Sequence, residues 1–381
     1  MRTLTSKMPK VATSIFSVMS KLALECHAIN LSQGFPDYEA DQKLKDLYCH
    51  YIQDNYNQYA PMPGVPALLE QISLKIQKSY SWAPEPISEI TITTGASQAI
   101  CSAIGMIISP GDEAIVIEPA YDSYIPAIRM NSGIPLVYEM RAPDFKVDWE
   151  AVEQLVSSKT KLLIINNPHN PTGTVYTESD LKAIEQLCEK HDLWLLSDEV
   201  YEHLVYHPHR HHSILEYPAL RARGMAVFSF GKSLHATGWK LGYIIAPEAL
   251  TSEFRKVHQF TVFCVNTPAQ YAVADYLQSK NDWSDLSLFF ETKKNYLEQG
   301  LSEGPLKPLS CAGTYFQLYD YSDFSDLDDV AFAKWLTTKY GVATIPLSPF
   351  YSSGLDQKLL RICFAKKEET LKKAIHRLEA I

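Results

Sequence analysis

The sequence predicts an α/β protein. A mostly parallel β-sheet occupies a large domain, residues 41–280, and a smaller α+β domain is formed by residues 1–40 and 281–381. Three observations carry that expectation. Short apolar runs alternate with amphipathic stretches through the middle of the chain. The runs are continuous rather than alternating, which suits strands buried on both faces. The pattern then changes near residue 280, where one long helical stretch leads into scattered short strands.

The strand candidates are residues 89–94, 114–118, 161–165, 193–197, 226–230 and 242–246, each rich in Ile, Val and Leu. Between them, residues 97–108 read as a helix stopped by Ser109-Pro110-Gly111. Residues 177–192 read as another: Thr177 is an N-cap candidate with Asp180 three residues on, and Leu181, Ile184, Leu187 and Cys188 recur at helical spacing. Strand–helix alternation of this kind builds a sheet with helices on both faces. Beyond it come a long helix at 282–300, strands near 314–319 and 359–364, a helix near 330–340 and a Lys-rich final helix at 367–381. The first 40 or so residues are expected to pack with this C-terminal unit.

Composition narrows the function. The chain has 381 residues, enough for about two or three domain-sized units. It is 46% hydrophobic and 21% charged, the balance of an ordinary globular protein. Its net charge of −9 argues against a nucleic-acid partner, which needs clustered Lys and Arg. Seven scattered cysteines without a Cys-x-x-Cys pair read as reduced, buried thiols of a cytoplasmic protein. The first residues show no signal peptide, and no stretch of about 18 apolar residues suggests a membrane partner. The histidine-rich run His207-Pro208-His209-Arg210-His211-His212 looks like a metal site, but its crowding fits an exposed turn better than tetrahedral ligation, so no metal is expected.

Five polar clusters follow the strand candidates directly: Gly95-Ala96-Ser97, Tyr121, Asn166 to Gly173, Asp198 to Tyr201, and Ser229 to Lys232. They therefore share the C-terminal edge of the sheet, where open α/β sheets bind ligands. A Gly-Ala-Ser turn into a helix offers backbone amides to a phosphate. Asp198 can pair with a protonated pyridine nitrogen. Lys232 can form a Schiff base with an aldehyde, provided a cationic neighbourhood lowers its pKa. Asn170 and Tyr201 can hydrogen-bond a phenolic oxygen, and Tyr121 can stack on a ring. Together these groups suit pyridoxal 5'-phosphate (PLP), whose sites pair a lysine with an acidic partner for the pyridinium.

The strings NNPHNPTG (166–173), SDEVY (197–201) and SFGKSLHATGWKLG (229–242) resemble class I aminotransferases of PLP fold type I, and QGFPD (33–37), NQYAPMPG (57–64) and LRICFAK (360–366) agree. The resemblance runs from about residue 30 to 366 and is strongest to the methionine and kynurenine/glutamine aminotransferase branch. It implies a seven-stranded sheet. It also implies that Lys232 carries the cofactor as an internal aldimine and shuttles the proton, that Asp198 faces the pyridine nitrogen, and that Asn170 and Tyr201 contact the phenolic oxygen. Ser229, Lys240 and the amides of Gly95, Ala96 and Ser97 would hold the phosphate, and Tyr121 would stack on the ring. Arg361 would clamp the substrate carboxylate, helped by Asn166 and the backbone at Gly34. Tyr59 would reach the neighbouring subunit's phosphate and Phe263 its substrate pocket, which implies a homodimer with shared sites. The branch often has Trp near the start and Phe at the stacking position, where this chain has Phe16 and Tyr121.

The expected reaction is transamination between an L-amino acid and a 2-oxo acid. An aromatic, apolar pocket (Phe16, Phe35, Tyr59, Tyr121, Phe263) would favour methionine, glutamine or aromatic amino acids over aspartate. A PLP-dependent cysteine-conjugate β-lyase is the alternative, since both reactions draw on the same Cα carbanion. A transcription regulator with an aminotransferase-like domain needs an attached DNA-binding module, for which about 30 residues before QGFPD leave little room.

Overall fold

A computed structural model describes residues 6, 8, 9, 13–280 and 282–381. The expected absence of a leader, and the assignment of residues 1–5, 7, 10–12 and 281 to the smaller unit, lie outside the described residues.

The central sheet has seven strands: β1 (Ile90–Thr93), β2 (Glu113–Glu118), β3 (Ile134–Glu139), β4 (Thr160–Asn166), β5 (Trp194–Asp198), β6 (Gly224–Ser229) and β7 (Gly242–Ile245). Their order is β1-β7-β6-β5-β4-β2-β3. Strands β2 to β6 run parallel to one another, and β7 is antiparallel to both β6 and β1. Side chains alternate between two cores. Ile115, Leu163 and Leu195 enter one, while Val116, Ile164 and Leu196 enter the other. The helix Gly95–Ile107 covers the second face through Ile100 and Ile104, and the helix Glu178–His191 covers the first through Leu181 and Ile184. That second helix starts at the expected capping box: Thr177 accepts from the Asp180 amide, and the Asp180 side chain accepts from the Thr177 amide.

Six of these strands stand where the apolar runs placed them, within two residues at either end. The seventh, β3, has no counterpart among those runs. It lies at the sheet edge, begins Ile-Pro after Gly133 and is only half-buried, so its sequence lacks a continuous apolar signature.

Beyond residue 282, the helix Ser284–Gly300 leads into an antiparallel sheet of four strands, Lys307–Pro308, Phe316–Asp320, Ile345–Pro346 and Leu359–Cys363, with helices Asp329–Tyr340 and Glu368–Leu378. The N-terminal helix Ile15–Glu25 packs on Asp329–Tyr340, and Ile29–Asn30 pairs in parallel with Val342–Ala343. Arg361 rides on Leu359–Cys363, opposite Leu318 and Ile345, and is thereby carried toward the edge of the central sheet.

No helix among the described residues is long and apolar enough to cross a membrane. Among them, Cys188, Cys311 and Cys363 are buried, whereas Cys49 is exposed and Cys26, Cys101 and Cys264 are half-buried, so the expectation of uniformly buried thiols is corrected.

Candidate active site

A cavity of about 300 Å³ opens at the carboxyl edge of the central sheet. One wall is the turn Gly95, Ala96 and Ser97, at the start of a 13-residue helix. Gly95 has φ of +67°, a conformation that favours glycine, and Lys240 lies beside it. Ser229 ends β6 on the same wall. The first-turn amides and the ammonium of Lys240 make this corner attractive to a dianion. Tyr121 lines the cavity with its hydroxyl 3.1 Å from Ser97 Oγ.

Asp198 ends β5 and is only 4% exposed. Its Oδ2 accepts a 2.7 Å hydrogen bond from the Tyr124 hydroxyl, and Oδ1 accepts from the Val200 amide at 3.4 Å. Burial pushes this carboxyl up to about 6, with the two hydrogen bonds and the charge of Lys232 pulling the other way. Lys232 follows β6, and its Nζ donates to the Tyr315 hydroxyl at 2.8 Å and to the Gly34 carbonyl at 3.4 Å. Burial brings this amine down to about 8. Arg361 and Lys240 add to the effect, while Cys363 and Asp198 oppose it. The leading cause is thus desolvation, with the expected cationic neighbourhood second. Tyr201 faces Lys232, its ring 5.5 Å from Nζ, and shares a hydrogen bond with Tyr315.

Arg361 is 1% exposed. Nη1 donates to Asn170 Oδ1 at 2.7 Å and Nη2 to the Ser32 carbonyl at 3.2 Å, while Nε has no partner among the described residues. Its guanidinium lies 3.8 Å from the Phe316 ring centre and 5.2 Å from that of Phe16. Burial lowers it to about 10, still cationic at neutral pH. Asn166 braces two strand ends: Nδ2 donates to the Asp198 carbonyl at 2.8 Å and Oδ1 accepts from the Asn170 amide at 2.7 Å. The Gly34 carbonyl also accepts from the Tyr315 hydroxyl at 2.5 Å, and a Cβ at Gly34 would lie 2.7 Å from Phe316, so only glycine fits there.

The cavity therefore gathers every site residue expected from the sequence except Tyr59 and Phe263. Those two pack edge to face, ring centres 5.4 Å apart, 83% and 45% exposed on another surface of the chain. Phe35, counted with the pocket aromatics, is likewise outside it, under Lys366. Tyr124, Tyr315, Phe316 and Asp122 also belong to the site, and none of them carries a signal in the sequence that marks it as such. Tyr124 stands three residues after Tyr121, at the start of the helix Tyr124–Met130, the only local signal it offered.

The histidine run does not form one exposed turn. His207 and His209 are exposed, whereas His211 is buried with Nε2 2.9 Å from Glu199 Oε2. Among the described residues, no three His, Cys, Asp or Glu side chains are grouped to hold a metal.

A half-buried lysine and a buried carboxyl facing one cavity, beside an anion-binding turn and a buried arginine, are the groups a PLP-dependent enzyme of this fold needs. The chain belongs to the family aminotransferase class I and II, which it matches over residues 27–378. It is 46% identical to the methionine aminotransferase of Escherichia coli (strain K12) over 377 residues, covering 99% of this chain and 98% of that protein. It is 35% identical to kynurenine–oxoglutarate transaminase 3 of Mus musculus, covering 94% and 86%. A solved E. coli structure described as having a methionine aminotransferase function superposes with a TM-score of 0.98, at 46% identity and full coverage of both chains. All three are transaminases, and none speaks for the lyase alternative.

The enzyme transfers amino groups, and its cofactor is PLP. The residues present fit that group. Asp198 is a buried carboxyl that makes no ion pair among the described residues, which a pyridinium would supply. The helix start beside Lys240 suits the phosphate, and the amine of Lys232 is poised for an aldehyde.

Proposed function

We propose that this enzyme transaminates L-methionine, L-glutamine or aromatic L-amino acids with a 2-oxo acid acceptor. The observation that carries the proposal is the convergence of Lys232, Asp198 and Arg361 on one cavity walled by Phe16, Tyr121 and Phe316. The substrates named for the E. coli and mouse relatives support an apolar or aromatic donor.

Bound PLP supplies an electron-withdrawing ring that stabilises negative charge at the substrate Cα. Asp198 holds the proton-bearing pyridine nitrogen, and Tyr124 keeps that carboxylate ionised and aimed. Gly95, Ala96, Ser97, Ser229 and Lys240 hold the phosphate, and Tyr121 covers the ring face. Asn170 and Tyr201 contact the phenolic oxygen. Arg361, fixed between Asn170 and Ser32, binds the α-carboxylate through its planar fork, with Asn166 and Gly34 shaping that end of the site. Lys232 Nζ, which burial brings down to about 8, would take and return the proton at the substrate Cα.

The exposed Tyr59–Phe263 pair fits a homodimer in which Tyr59 reaches the neighbouring phosphate and Phe263 the neighbouring substrate. The enzyme is cytoplasmic in this reading. Its large domain spans 41–280, and its small domain 1–40 with 281–381.

The test is the visible spectrum of the purified enzyme. A yellow cofactor band should fade on adding L-methionine and return on adding a 2-oxo acid, and Lys232→Ala should abolish that cycle. Faster turnover of L-aspartate than of L-methionine would overturn the substrate assignment.

A further inference from the structure

Asp122 lines the cavity beside Tyr121, yet it has no part in the roles set out above. The cavity wall holds two carboxylates, Asp122 and Asp198, and three cations, Lys232, Lys240 and Arg361. In the proposed reaction each of the other four is engaged by the cofactor or by the α-carboxylate. Asp122 is left over, and it is the wrong sign to be a bystander. It is half-buried and makes no ion pair within 4 Å among the described residues. It shares the cavity wall with Arg361; burial raises its carboxyl and the charge of Arg361 lowers it.

A substrate whose α-carboxylate sits on Arg361 extends its side chain through this space. A second carboxylate there would find no free cation and one fixed anion. The loops that carry Tyr59 and Phe263, residues 56–64 and 260–266, contain no Lys or Arg to reverse that balance from a neighbouring subunit. A side chain bearing an N–H donor meets the opposite situation, because the Asp122 carboxylate can accept its hydrogen bond.

We propose that Asp122 is a specificity-determining residue of this transaminase, which rejects substrates with a side-chain carboxylate and accepts those with a side-chain N–H donor at the same place. The assignment rests on the transaminase reading above. It extends that reading by naming glutamine over glutamate, two side chains of equal size that differ in one amino group and one charge.

The experiment compares kcat/KM for L-glutamine and L-glutamate on the holoenzyme with one fixed monocarboxylic 2-oxo acid. A fixed like charge several ångströms away in a partly buried site is worth roughly tenfold or more, so the wild-type ratio should exceed ten. Asp122→Asn should lower the ratio about tenfold, whatever it does to overall turnover, and Asp122→Glu should keep glutamine preferred. Asp122→Ser replaces Asp122→Asn if the latter does not fold. Equal use of glutamine and glutamate by the wild type, or a ratio unmoved in Asp122→Asn with its cofactor band intact, overturns the role of Asp122. Failure of the wild type to convert L-methionine with any 2-oxo acid would instead remove the function on which the assignment rests.

Discussion

Replacing Asp198 by Asn should stabilise the cofactor-free enzyme while disabling it. The carboxyl is 4% exposed, receives hydrogen bonds from Tyr124 and Val200, and makes no ion pair among the described residues. Burial carries it from 3.8 to about 6, so its ionised form costs the folded state about 3 kcal/mol relative to the unfolded chain. The sign follows from the direction of that shift. A carboxyl raised by folding leaves the protein most stable below its unfolded value, near pH 4; the cost grows as pH climbs toward about 6 and levels off above it. Asparagine offers Tyr124 the same acceptor oxygen with no charge to bury. Cofactor-free Asp198→Asn should therefore melt a few degrees above cofactor-free wild type at pH 8, and the gap should close on acidification to pH 4. Transamination should fall on the order of 100-fold or more, since the ring loses the partner that keeps its nitrogen protonated. Calorimetry of the two cofactor-free proteins from pH 4 to 8 reads the first effect, and steady-state turnover the second. A variant that melts below wild type at pH 8, or a gap independent of pH, would refute the idea that Asp198 is held at a cost which the cofactor relieves.

Two further outcomes test neighbouring groups. The Tyr124 hydroxyl lowers the Asp198 carboxyl, so Tyr124→Phe should raise it beyond about 6. PLP affinity should then drop at pH 6.5 and recover by pH 8.5, as titrations at the two pH values would report; an equal loss at both would assign Tyr124 a purely structural part. Arg361→Lys forfeits the fork to Asn170 and Ser32 and the stacking on Phe316, and kcat/KM for L-methionine should fall roughly 100-fold, mainly through KM.

The sheet and the site were legible for the same reason. In β4, β5 and β6 each apolar run stops at the residue where the chain leaves the sheet, and Asn166, Asp198 and Ser229 stand at that stop. A parallel sheet puts all such stops on one edge, so order along the chain becomes proximity in space. Legibility failed where a residue acts through another. Tyr124 and Tyr315 look like ordinary aromatic core in sequence, and their importance lies in one hydroxyl each, bonded to Asp198 and Lys232. Asp122 is hidden differently, by standing next to an aromatic residue that already explained the segment. His211 escaped because its partner Glu199 is twelve residues away and buried with it.

Burial pushes Asp198 upward and both Lys232 and Arg361 downward, so each of the three charges is held nearer to neutrality than it would be in water. Protein hydrogen bonds offset this only in part: two on Asp198, two on Lys232, and two on Arg361, whose Nε has no partner among the described residues. In the proposed function each deficit would be met by a ligand charge of opposite sign or a bond that removes the charge: a pyridinium for Asp198, an aldehyde for Lys232 and an α-carboxylate for Arg361. The groups are already fixed by strand ends and by each other, so binding requires little further ordering of the protein. The free energy spent on burying them during folding is recovered when cofactor and substrate arrive. Asp122 fits the same logic in reverse, as a half-buried charge on the cavity wall that no carboxylate can relieve.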